Sequence, residues 1–175
     1  MPKKRHRKIF DKNASVAALK EAEENRAICR GWDVALTASV SILWYQHMFS
    51  ADDISQMVSD VKLLRENIYG EVETGSWQEA AYERLTAIKE ELGIDTLNWP
   101  LEGGLSDSEV LGASLALEMV ICALHDDDYF TVENDELKEF HEEFRKKMFE
   151  YSEGDWNLMQ ERKTLRTEIG VELDW

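Results

Sequence analysis

The chain is poor in cysteine, in histidine, in positive charge and in long apolar runs. Cys29 and Cys122 are its two cysteines, with no tight spacing between them. That pattern fits reduced thiols in a cytosolic protein and not a disulfide framework. The longest apolar stretches, VALTASVSILW (34–44) and VLGASLALEMVICAL (110–124), are shorter than the roughly 20 residues that cross a bilayer, so both read as buried helices. The start leads into IFDKNASV and not into the apolar segment of a secretion signal. A soluble, intracellular protein is the expectation.

Chemistry is also sparsely written. The HDDD stretch, His125 with Asp126, Asp127 and Asp128, resembles a calcium loop at first sight. With Asp126 as its first position, Phe130 and Thr131 fall where an oxygen ligand and a glycine belong, and Leu137 falls at the bidentate position. A di-iron bundle needs Glu-x-x-His on two helices. Lys138 precedes His141 by three residues, and Trp44 precedes His47. No metal site follows, and HDDD reads as a solvated turn. Both cysteines fall inside helical segments as small buried apolar groups. The four histidines are too scattered to nominate a base. The glycines of EGG (102–104) lack the Lys-Ser/Thr and the preceding strand of a phosphate loop. No catalytic residue and no cofactor is expected.

What is abundant is acid. The 175 residues carry 36 Asp and Glu against 20 Lys and Arg. The shortage of base is sharper than those totals. Five bases, Lys3, Lys4, Arg5, Arg7 and Lys8, sit in the first eight residues, so 15 bases face 36 acids beyond them, a balance of −21. Such a body repels nucleic acid and membranes and attracts basic protein surfaces. Glu142–Lys146 and Glu143–Lys147 have the i,i+4 spacing of compensating pairs. The uncompensated stretches contain Glu21, Glu23 and Glu24, then Glu71 and Glu73, then Asp126, Asp127 and Asp128. Glu133, Asp135 and Glu136 follow, and Glu150, Glu153 and Asp155 complete the set. These are the candidate partner-binding acids, and the five basic residues of the tail are the candidate nucleic-acid contacts.

The periodicity is helical throughout, and it repeats. Residues 1–12 form a flexible basic tail, and a helix follows within 13–31, capped by Asn13 or Ser15 and stopped by Gly31. A first unit covers 32–100. Its amphipathic helix starts at the capping box Ser50/Asp53 and buries Ile54, Met57, Val61, Leu64 and Ile68. Ser76/Glu79 then caps a helix that ends at Gly93. A second unit covers 106–175. Ser106/Glu109 caps its apolar helix, Thr131 follows Phe130 as Ser50 follows Phe49, and Leu137, Phe140, Phe144 and Tyr151 are the buried face. Gly75 and Trp77 match Gly154 and Trp156, Gly93 matches Gly170, and Trp99 matches Trp175. Trp32 and Trp44 are further core candidates. A unit of this size is too small to bury much core alone. The expectation is therefore a mainly α bundle of two similar three-helix repeats about a pseudo-two-fold axis, apolar helices in the middle. The alternating tails IDTLNW and VELDW would pair as a very short β-ribbon.

The pattern RGWDVALTASVSIL…FSADDI…ELGID, over roughly residues 30–95, resembles small helical accessory proteins carried by phages and prophages. The resemblance carries no activity. It implies a phage setting, hence the cytoplasm of an infected or lysogenic bacterium, where small acidic proteins recur as inhibitors of host nucleic-acid enzymes and of defence systems such as CRISPR. Two functions are expected in competition. One is a nucleic-acid mimic, or anti-CRISPR-like inhibitor, that blocks a basic site on a host or defence protein. The other is a scaffold or regulator that assembles on nucleic acid through the basic tail.

Overall fold

The computed structural model describes residues 12–69, 75–94, 96, 104–126, 129, 130, 132–171 and 173. Side chains are described for these residues except 12–17, 67–69, 75–82 and 126. Six helices account for nearly all of them: α1 (Lys12–Tyr45), α2 (Ala51–Tyr69), α3 (Gly75–Leu92), α4 (Asp107–Asp126), α5 (Asn134–Glu153) and α6 (Leu158–Ile169). The protein is all-α among the described residues.

α1 does not stop at Gly31. It continues unbroken to Tyr45, so the helix stop expected at Gly31 is absent. A glycine inside a helix costs only about 1 kcal/mol relative to alanine, and here it serves a contact. A methyl group on Gly31 would overlap the carbonyl oxygen of Glu109, and one on Gly112 would overlap that of Ile28. The two glycines let the backbones of α1 and α4 touch. The helices run in the same direction, because Leu43 and Leu124 line one cleft at their far ends.

These two helices form the middle of the bundle. Val34, Ala35, Leu36, Ala38, Val40, Ile42 and Leu43 of α1 are buried, as are Ala116, Leu117, Met119, Val120, Ile121 and Leu124 of α4. Thr37 and Ser39 are buried without penalty, since their hydroxyls donate to the carbonyls of Asp33 (2.7 Å) and Ala35 (2.9 Å). Over Asp107–His125 the chain is long and apolar enough to cross a membrane, although 67% of that stretch is buried inside the body.

The amphipathic helices cross over. α2 lies on α4 and α3, and α5 chiefly on α1; α3 lies on α2 and α4, and α6 on α1. Ile54, Met57 and Val61 of α2 are buried, as are Leu137, Phe140 and Phe144 of α5. Leu64 and Tyr151 are half-buried, and Ile68 lies outside the described side chains. Met148, one turn before Tyr151, completes the α5 face and was not legible as core.

Both expected capping boxes with described side chains form. The Ser50 amide donates to Asp53 Oδ2 (2.8 Å) and the Asp53 amide to Ser50 Oγ (3.2 Å). Ser106 and Glu109 repeat this at 2.9 and 3.3 Å. Ser76/Glu79 lies outside the described side chains. α5 is capped at Glu133, with the Glu133 amide donating to Glu136 Oε2 (2.9 Å); Thr131 lies outside the described residues. Gly93, Gly154 and Gly170 take the left-handed conformation at helix ends (φ 65°, 81° and 78°).

No strand is present among the described residues; most of the expected β-ribbon, including Trp99 and Trp175, lies outside them. Thr96 and Leu173, one from each tail, are buried against helices instead. The Ser114 hydroxyl donates to the Thr96 carbonyl (2.6 Å), and Arg162, paired with Asp33 (3.7 Å), donates to the Leu173 carbonyl. Trp32 and Trp156 are buried and Trp44 is half-buried. The Trp77 side chain is not among those described.

Candidate functional site

The candidate acids do not form one surface. Glu21, Glu23 and Glu24 are exposed on the part of α1 that precedes Ala27, the first buried residue among its described side chains. Glu133, Asp135 and Glu136 are exposed at the start of α5, while Glu150, Glu153 and Asp155 are exposed at its end. At 1.5 Å per residue, α5 holds those two groups roughly 27 Å apart. Glu71, Glu73, Asp127, Asp128 and the tail residues Lys3, Lys4, Arg5, Arg7 and Lys8 lie outside the described residues, as does the side chain of Asp126, which ends α4.

The expected i,i+4 pairs on α5 are replaced by others. Glu142 meets Arg145 (3.3 Å), Glu143 turns inward to His47 of α1 (2.9 Å), and Lys147 meets Glu150 (3.6 Å) while lying over the Trp156 ring. Lys147 gains more from a ring face and a nearby acid than from a partner one turn back. The Glu150 end of α5 is thus a mixed-charge surface.

The start of α5 is different, because the start of α2 converges on it. α2 brings Asp52 and Asp53 in its first turn, and α5 brings Asp135 and Glu136, with Glu133 as cap. Between them opens a cleft of about 230 Å³ at the ends of the central helices. Leu43, Leu124 and Phe140 form its apolar lining, and His47, Asp53, Tyr129 and Glu136 bring polar groups to it. The rings of Phe49 and Phe130 line it and stack on each other, 5.7 Å apart and 18° from parallel, with Tyr129 edge-on to Phe130 at 5.1 Å.

Electrostatics keeps this end negative. The Ser50 hydroxyl and amide hold the Asp53 carboxyl below its ordinary value, against the opposing effect of burial, and the Tyr129 hydroxyl adds to the lowering. Each helix start contributes roughly half a unit of positive charge, and a full carboxylate charge at each start outweighs it. Asp52, Asp53, Glu133, Asp135 and Glu136 stand there against Lys138, which pairs with Asp135 (3.5 Å). The Ser50, Asp53 and Glu133 amides are already committed to side-chain oxygens of the caps.

The acids of α5 in this site were legible as uncompensated charge. Asp53 was legible only as a cap and His47 only as a failed metal ligand, while Asp52 and Tyr129 carry no local signal. The signal that could have found them is the matched Phe-Ser and Phe-Thr pairs, which put Phe49 and Phe130 each just before an amphipathic helix.

Two other concave regions are less concentrated. One, of about 410 Å³, has Lys138, His141 and Arg145 beside Gly93, with Asp135 and Glu142 paired to its bases. The other, of about 400 Å³, is an apolar groove along Ile28, Cys29, Trp32, Leu111 and Leu115, with Arg65 over the Trp32 ring at 5.1 Å. Cys29 is exposed there, contrary to the expectation of two buried thiols; it faces outward at the rim while Cys122 is buried. Among the described residues, no three His, Cys, Asp or Glu side chains are grouped to hold a metal. No protein-family model matches the chain, and no curated protein or solved structure matches it.

Proposed function

We propose that this is a non-enzymatic phage protein that binds and blocks a basic, nucleic-acid-binding site on a host or defence protein, in the manner of an anti-CRISPR or nucleic-acid mimic. The observation that carries the reading is the convergence of Asp52, Asp53, Glu133, Asp135 and Glu136 at one end of a rigid bundle. Carboxylates fixed on helix starts offer a basic groove the same Coulomb attraction as a phosphate backbone, without the entropy cost of ordering a flexible acidic tail. The resemblance to phage accessory proteins supplies the setting, the cytoplasm of an infected or lysogenic bacterium.

The scaffold we infer beneath this surface is a duplicated three-helix unit with a pseudo-two-fold axis between α1 and α4. Three facing pairs support it at one separation in sequence: Gly31 with Gly112, Leu43 with Leu124, and Phe49 with Phe130. The crossed packing of α2 on α4 and α5 on α1 is what such an axis generates. It would account for two acidic helix starts meeting at one place.

Affinity capture from bacterial lysate tests the binding reading. A captured nucleic-acid-binding protein, released by raised salt, is the expected result; salt-insensitive capture, or none, overturns it. The competing reading, assembly on nucleic acid through Lys3, Lys4, Arg5, Arg7 and Lys8, predicts an electrophoretic shift of DNA or RNA that deletion of residues 1–8 abolishes. The inhibitor reading predicts no shift with either chain.

A further inference from the structure

We propose that the cleft lined by Phe49 and Phe130 is a socket for one cationic side chain, a guanidinium or ammonium, presented by the partner protein. The inference rests on the binding reading above and names the contact at its centre. Surface carboxylates steer a basic partner but contribute little affinity each, because water screens them. A concave site is where a single cation gains more.

The cleft has the three properties that such a group needs. Its volume, about 230 Å³, accommodates the end of a long side chain. Its walls are aromatic: Phe49 and Phe130 stack on each other, Tyr129 stands edge-on to Phe130, and Phe140 meets His47 edge-on at 6.3 Å. Ring faces attract cations, more strongly as water is removed. Carboxylates flank the rings from two helices. Asp53 is already tied to Ser50 and Tyr129, whereas Glu136 gives Oε2 to the Glu133 amide and, as a carboxylate, has further lone pairs to offer. Glu136 is the group that would meet the incoming donor. An anion is disfavoured in the same place, since the cap amides are committed and Asp53 and Glu136 repel it.

Methyl NMR titration of the full chain tests this with two matched probes, n-butylguanidinium and the neutral n-butylurea of similar shape. The expected result is saturable shifts of the Leu43 and Leu124 methyls with butylguanidinium, at least tenfold weaker with butylurea. E136Q and, separately, F130L should each weaken the response, with folding checked by the unchanged remainder of the spectrum. Silent Leu43 and Leu124 methyls, or equal response to the neutral probe, overturn the proposal. A glycine-flanked arginine peptide decides the source: tighter binding than butylguanidinium supports a protein-borne side chain, and equal or weaker binding overturns that assignment. Salt-sensitive partner capture alongside a cleft blind to butylguanidinium would sink the socket alone; loss of partner capture would sink the reading it rests on.

Discussion

Gly31 of α1 and Gly112 of α4 are reciprocal: each lies against the backbone of the helix that carries the other, Gly31 under the Glu109 carbonyl and Gly112 under that of Ile28. This contact sets the distance between the two central helices. It thereby fixes where the starts of α2 and α5, and the acids on them, can stand.

Substituting either glycine by alanine distinguishes this role from ordinary helix occupancy. On an isolated helix, alanine would add about 1 kcal/mol of stability. Here the added methyl meets backbone, which cannot rotate aside, and overpacking of this kind costs about 1–3 kcal/mol. G31A and G112A should each lower the urea midpoint without changing the helical signal of the folded state. An unchanged or raised midpoint contradicts the close contact.

Glu118 is the acid buried in the apolar stretch of α4. It accepts from Lys89 Nζ (2.6 Å) and is bonded by the Thr96 hydroxyl, which ties α3 and the first tail to the centre. Glu118→Ala leaves the Lys89 ammonium partly buried without its partner. Lys89 retains 26% exposure, so water softens the loss to about 1–3 kcal/mol. Replacing both, K89M with E118M, should recover much of that loss, as paired apolar substitution commonly does. Denaturant midpoints of the three variants form the test, and a double variant as unstable as E118A contradicts the pairing.

The capping carboxylates set the acid limb of stability. Ser50 lowers the Asp53 value from the ordinary 3.8. For Glu109, burial opposes ionisation, but the Ser106 amide and hydroxyl and the Arg30 guanidinium outweigh it and hold the value below 4.5. Folded values below unfolded ones mean that this stability is complete above those ordinary values and is lost as pH falls through the lowered ones. S50A and S106A should each cost about 1 kcal/mol at neutral pH. Both should also flatten the decline between pH 5 and pH 2, read from urea midpoints across that range. A decline as steep as that of the parent contradicts the assignment.

The two thiols should separate kinetically. Cys29 is exposed and Cys122 buried, so a thiol reagent should modify one cysteine promptly in the native protein and the second only after denaturation. C29S should remove the prompt reaction. Prompt reaction of two thiols would contradict the burial of Cys122.

Helix positions, the buried faces of α2 and α5, and two capping boxes were legible because each is written locally, as spacing or as a residue pair three apart. Gly31 was misread for a physical reason: a glycine that ends a helix and one that lets two helices touch look alike until the other helix is known. The same limit hid the site. Uncompensated charge marked Glu133, Asp135 and Glu136, but not that Asp53 would face Glu136 across a cleft, since that depends on how α2 and α5 cross the centre. Nor did spacing reveal that Glu143 would turn inward to His47 and leave Lys147 to Trp156.

We propose that the acids at the starts of α2 and α5 hold a basic protein surface. The most direct measurement is quantitative capture from bacterial lysate at low and high salt, comparing the parent chain with a D52N/E133Q/D135N/E136Q variant shown to retain its helical signal and urea midpoint. The account predicts a nucleic-acid-binding protein that the parent retains at low salt, releases at high salt, and that the neutralised variant fails to capture. Equal capture by the parent and the variant would contradict it.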